Sequence, residues 1–291
     1  MSTLAYEIVD VFTDRPFAGN PLAVVFGGAR LATAQMQALA REFNLSETVF
    51  PLPPTASGAT YRARIFTPEG EIPFAGHPSV GVAVTAMRRG MFRAGEVIQE
   101  CGAGLLPITV TAAGTATLTG AEPRLGAPLD PAPLLAAVGL TASDHAGDDL
   151  AAPRSAGCGL DWVLLPVCRE ALARARVDVA AAERAGVTDI SVFSWADGEA
   201  HARVFVAGGA VPEDPATGSA ALALGVWLVA AGRLPGEGVS SYRIHQGVEM
   251  KRPSRLECTV TASGGAAVSA TVTGHVWQVA SGEIAVPPFI G

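Results

Sequence analysis

No cluster of lysine and arginine interrupts the 291-residue chain, whose 20 basic residues are outnumbered by 27 acidic ones. Binding a phosphate backbone or an anionic membrane surface takes clustered cations, so nucleic acid and membrane are poor partners. The opening residues, Met1 to Glu7, lack a basic segment followed by an apolar run. They therefore read as no signal peptide, and Tyr6 to Phe12 reads as a strand. The longest apolar stretch, Ala220 to Ala231, falls short of the roughly 20 residues a bilayer requires. Cysteine is scarce as well. Cys101, Cys158, Cys168 and Cys258 are scattered and form no Cys-x-x-Cys pair. No metal or redox site is expected from them, and reduced thiols in a cytoplasmic protein are the plain reading.

What the chain has is core-forming material: 49% of it is apolar, enough to fill two compact halves. Strand-like segments rich in β-branched and aromatic residues cover 5–12, 22–26, 47–52 and 59–66, with shorter ones at 98, 108–110 and 116–118. Met36, Leu39, Ala40 and Phe43 recur at helical spacing and predict a helix over 33–43. A second helix follows His77-Pro78 and stops near Arg89-Gly90. The Pro- and Gly-rich stretch from Glu122 to Pro133 reads as a boundary, which sets halves at 1–124 (possibly joined by 280–291) and 125–279. Beyond it, strands are expected over 162–166, 189–195, 202–206, 255–260 and 267–279, with helices over 178–185 and 219–231.

The two halves echo each other. Arg64-Ile65-Phe66 precedes a loop, Gly76-His77 and an apolar helix; Arg203-Val204-Phe205 precedes a loop, Gly218-Ser219 and another apolar helix. The arginines are 139 positions apart and the glycines 142. Neither helix has a polar stripe, so each needs wrapping on all sides, as a curved sheet around a central helix provides.

Chemistry-bearing residues gather at these helix starts. Proline after His77 suits the first helical position, and Ser219 suits a cap. Two such starts facing each other would hold an anion such as a substrate carboxylate; ordinary capping explains the same residues. Glu47, in Leu45-Ser46-Glu47-Thr48-Val49-Phe50, stands among apolar neighbours at the mouth of a strand. Desolvation there raises a carboxyl pKa toward neutrality and suits it to carry protons, whereas a solvated edge residue would do nothing. Asp214 fits either a loop Asx-turn or a site role.

Taken together, Asn20-Pro21-Leu22-Ala23-Val24, Leu45-Ser46-Glu47, Pro73-Phe74-Ala75-Gly76-His77-Pro78 and Glu213-Asp214-Pro215-Ala216-Thr217-Gly218-Ser219-Ala220 resemble the PhzF-like phenazine-biosynthesis family. Gln246-Gly247 with Met250 and Arg252-Pro253-Ser254 is similar to that family's late signature. The resemblance implies an α/β (α+β) diaminopimelate-epimerase-like fold: two similar halves, each a curved sheet around a central helix, with the active site between them. It implies a cofactor-independent isomerase that moves a proton between carbons of a small cyclic carboxylic acid resembling a dihydro-hydroxyanthranilate. By position, Glu47 matches the family's acid/base glutamate. His77, Asp214 and Ser219 match polar residues that line the pocket and assist transfer or orient substrate, and Asn20, Ser46, Gly76 and Gly218 match substrate-binding positions. A homodimer is expected.

Related racemases carry a cysteine at each helix start. Here His77 and Ser219 occupy those slots, which disfavours a two-thiol mechanism. Epimerisation or dehydration of another small hydroxy or amino acid would use the same pocket, and a non-catalytic acid binder of this fold would need no Glu47. Two positions depart from the family pattern: Lys251 stands where glycine is usual, and Ser79 where threonine is frequent.

Overall fold

A computed structural model describes residues 2–147, 151–209 and 211–288. Its chain contacts divide into two compact units, Met1–Thr119 with Thr273–Gly291, and Gly120–Val272. The breaks fall at 119/120 and 272/273, where the sequence reading put them at 124/125 and 279/280. The fold is mixed α/β and richer in strand than in helix.

The first unit begins with β1 (Thr3–Val11), β2 (Asn20–Val25), α1 (Thr33–Phe43), β3 (Thr48–Leu52), β4 (Tyr61–Phe66) and the short β5 (Glu71–Ile72). It continues with α2 (Gly76–Arg88), β6 (Gly95–Cys101), β7 (Gly104–Val110) and β8 (Thr115–Thr119). β1 pairs antiparallel with β2, β2 parallel with β3, β3 antiparallel with β4, and β4 antiparallel with β5 and parallel with β6. α1 is amphipathic and lays Met36, Leu39 and Ala40 against Val25, Phe50 and Phe66. α2 has no exposed stripe: every residue from Gly76 to Ala86 is buried, and β1, β2, β3, β4, β7 and β8 pack around it. Fully burying Val80, Val82 and Val84 contributes about 2 kcal/mol each. At Gly81 the helix packs closely on the sheet, since a Cβ there would lie 2.5 Å from Leu22 Cδ2 and 2.9 Å from Val11 Cγ2.

The second unit contains β9 (Arg124–Pro128), α3 (Pro131–Ala137), β10 (Arg154–Gly157), β11 (Asp161–Pro166), α4 (Val179–Ala185), β12 (Asp189–Ala196) and β13 (Glu199–Val206). Next come the short β14 (Glu213–Asp214), α5 (Gly218–Ala230), β15 (Gly238–Gln246), β16 (Ser254–Ser263) and β17 (Ala266–Ala285), whose C-terminal part belongs to the first unit. The pairing order of the first unit recurs. β10 is antiparallel to β11, β11 parallel to β12, β12 antiparallel to β13, and β13 antiparallel to β14 and parallel to β15. α5 is buried from Gly218 to Val229, against β9, β10, β11 and β16.

Two expectations need correction. The stretch read as a boundary, 122–133, holds β9 and the start of α3, and α3 delivers Leu134 and Leu135 to a core with Ile190, Val192 and Phe205. Asp130 caps that helix by accepting from the Ala132 N–H at 2.9 Å, with proline at the next position. The strand β15 was also missed, although Tyr242, Ile244 and Gln246 alternate toward the interior.

Candidate active site

In the first unit, tertiary structure brings together the ends of β2, β3 and α2. Asn20 opens β2 and is fully buried; Ser46 and Glu47 immediately precede β3; Gly76 and His77 are the first two residues of α2. Helix α2 therefore starts earlier than read from sequence, and Pro78 is its third residue rather than its first. Proline is still harmless there, because the first intrahelical bond is donated by Ser79 N–H to Ala75 O.

Asn20 Nδ2 lies 3.2 Å from His77 Nδ1, and Ser46 Oγ lies 3.5 Å from Asn20 Oδ1. With the Asn20 amide donating, Nδ1 accepts, and the neutral imidazole carries its proton on Nε2. That nitrogen faces Glu47 Oε2 at 3.5 Å. The Glu47 side chain is only 16% exposed, and Oε2 has no hydrogen-bond partner among the described residues. Burial pushes its carboxyl pKa up to about 7, opposed in part by a hydrogen bond from Ser46. A carboxyl so placed holds or releases a proton with equal ease at neutral pH.

In the second unit, Asp214 ends β14 and is half-buried, four residues before Gly218, the first residue of α5. Thr217 is the N-cap residue and donates its hydroxyl to Asp214 Oδ2 at 2.5 Å. Ser219 is the second helical residue, so it is not the cap that the sequence indicated. Its hydroxyl instead accepts from Trp162 Nε1 at 3.0 Å. Neither α2 nor α5 has a side-chain hydrogen bond capping its start.

Thr217, Gln246 and Trp162 were not singled out as site residues from sequence. Gln246 lay in a recognised motif, but nothing local signals that its amide reaches Thr217 across 29 positions. Among the described residues, no group of three His, Cys, Asp or Glu side chains is arranged to hold a metal ion. The four cysteines are free thiols; burial raises the Cys158 pKa to about 11 and that of Cys258 further, so both stay protonated. No helix among the described residues is long and apolar enough to cross a membrane. Lys251 adopts φ 60°, a left-handed conformation in which glycine is unstrained.

Residues 9–282 match a family described as PhzC-PhzF, phenazine biosynthesis-like protein. An uncharacterized isomerase of Mesorhizobium japonicum is 38% identical over 98% of this chain and 99% of its own length. The trans-2,3-dihydro-3-hydroxyanthranilate isomerase of Pseudomonas aeruginosa is 32% identical over 96% of this chain and 98% of its own. In fold, the chain is similar to a PhzF-family protein of Bacillus anthracis, with a TM-score of 0.86, 24% identity and coverage of 98% and 100%.

Proposed function

The chain belongs to the phenazine biosynthesis-like PhzC-PhzF family and is an isomerase, and from that premise we propose that Glu47 moves a proton between two carbons of a small cyclic carboxylic acid. The substrate class is that of trans-2,3-dihydro-3-hydroxyanthranilate, on which the Pseudomonas relative is named as acting. The observation that carries the reading is the Glu47 carboxyl, desolvated, poised near pH 7 and facing His77 Nε2.

The Glu47 carboxylate removes a proton from one ring carbon, and the negative charge spreads into the conjugated system. As a carboxylic acid it returns the proton at a second carbon, which leaves the enzyme as it began. His77, held by Asn20 with its proton on Nε2, donates toward the carboxylate or the developing charge without itself changing protonation state. Ser46 steadies the charged form of Glu47. Asp214 and Ser219 are assigned to substrate orientation by their place in the family pattern, and Gly76 and Gly218 to backbone contacts at the helix starts. Each step is a proton transfer by the chain's own groups, so the scheme calls for no cofactor.

The test is incubation of trans-2,3-dihydro-3-hydroxyanthranilate with the protein in heavy water. Deuterium on a ring carbon of the product is the expected result; binding with neither product nor label would leave only an acid-binding protein. Glu47→Gln keeps the shape of the site, so ligand affinity should stay within about tenfold while label uptake is lost. We also read the two units as copies of one ancestral unit, each sheet wrapped around its buried helix, and the assembly as a homodimer, which sedimentation checks.

A further inference from the structure

Both N–H donors of the Gln246 amide are used, and its oxygen accepts from the same loop. Its Oε1 accepts from the Thr217 N–H at 3.2 Å, and its Nε2 donates to Asp214 O at 2.7 Å and to Thr217 Oγ1 at 3.0 Å. The residue is 1% exposed, so these bonds form away from competing water. A threonine hydroxyl has one proton to give. With Gln246 donating into Thr217 Oγ1, that proton is committed to Asp214 Oδ2.

The next residue fixes the same loop through its backbone. Gly247 has φ 72°, and a Cβ on it would lie 2.6 Å from Pro215 O, so only glycine allows this approach. The first unit supplies an internal control. There Gly102 packs equally closely on Pro73, a Cβ on it lying 2.7 Å from Pro73 Cα. The glycine–proline contact is therefore common to both units. The residue before Gly102, however, is Cys101, which has no amide to offer. The amide is an addition specific to the unit that carries Asp214.

We propose that Gln246 is a positioning residue, which acts through Thr217 to hold the Asp214 carboxylate and the start of α5 in their working geometry. This rests on the role given to Asp214 above. Two variants separate its functions. Gln246→Ala removes every bond, whereas Gln246→Glu keeps the length and the acceptor for Thr217 N–H but loses both donations.

In the full chain, NMR-detected amide exchange at Thr217 should accelerate about tenfold in Gln246→Ala and stay near the parent rate in Gln246→Glu. With trans-2,3-dihydro-3-hydroxyanthranilate as probe, kcat should fall about tenfold or more in both variants, with KM within about threefold. Unchanged Thr217 exchange in Gln246→Ala overturns the proposal, as does a parent-like kcat in both variants. A parent-like kcat in Asp214→Asn overturns instead the reading on which it rests.

Discussion

The two units share one order of strand pairing and differ in what surrounds their matching side chains. Thr48 pairs with Phe66 in the first unit, and Ile190 pairs with Phe205 in the second. The residues just before them, Glu47 and Asp189, therefore occupy corresponding register positions, each preceded by a hydroxyl residue, Ser46 or Thr188. Both hydroxyls bond to the neighbouring carboxyl group, Thr188 Oγ1 to Asp189 Oδ2 at 2.8 Å. Glu47 faces a buried histidine and burial raises its carboxyl pKa, whereas Asp189 stands beside an exposed Thr188.

The arginines differ in the same sense. Arg64 and Arg203 each make a bidentate pair, with Glu71 and Glu213, and each lies over a phenylalanine ring, at 5.2 Å and 5.0 Å. Arg64 is partly solvated and also bonds Thr33. Arg203 is 3% exposed and donates to the carbonyls of Leu172 and Ala175, so it fastens a separate segment to the sheet.

The comparison breaks most sharply at the carboxyl groups. Glu47→Gln should lower turnover by about 10³-fold, within the range of general acid–base catalysis, while Asp189→Asn leaves it unchanged. Steady-state kinetics decides; equal losses would erase the distinction. The arginines come next. Arg203→Ala should cost about 4 kcal/mol in denaturant unfolding, because it strands Glu213 and two carbonyls, against about 1 kcal/mol for Arg64→Ala.

Glu47 also has a pH signature. Its folded pKa lies above its ordinary value of 4.5, at about 7, so the folded state binds more protons between those limits and the group's contribution to stability falls as pH rises through that window. At pH 8, Glu47→Gln should therefore unfold about 3 kcal/mol less readily than the parent, a difference that vanishes by pH 4. Thermal or chemical unfolding at both pH values is the check. The smallest effect belongs to a turn of the second unit: Lys251→Gly should stabilise by about 1 kcal/mol by relieving the left-handed backbone, with turnover untouched.

Much of the fold was legible because its signals are local. The spacing of Met36, Leu39 and Ala40 predicted α1 with the limits the structure gives, Thr33–Phe43. The echo of Arg64-Ile65-Phe66 in Arg203-Val204-Phe205 reappears as matching ion pairs and strand pairings. Where the reading failed, local chemistry pointed the wrong way. Pro131 and Gly126 marked 122–133 as a boundary, although proline after Asp130 is also a helix start, and Ser219 looked like a cap although Thr217, two positions earlier, is the N-cap residue. At the site, Glu47 was legible from its apolar neighbours and its motif. The bond from Asn20 to His77 was not, because those residues are 57 positions apart and meet only when β2 and α2 pack.

The small opening that leaves the Glu47 side chain 16% exposed bears on isotopic memory. A carrier sealed from solvent would hand back the very hydrogen it took, and product formed in heavy water would stay light. A carrier that water reaches forgets its hydrogen at a rate set by that access. In the proposed mechanism, the fraction of product that remains light would thus be a clock, timing the deprotonated species against hydrogen exchange at Glu47.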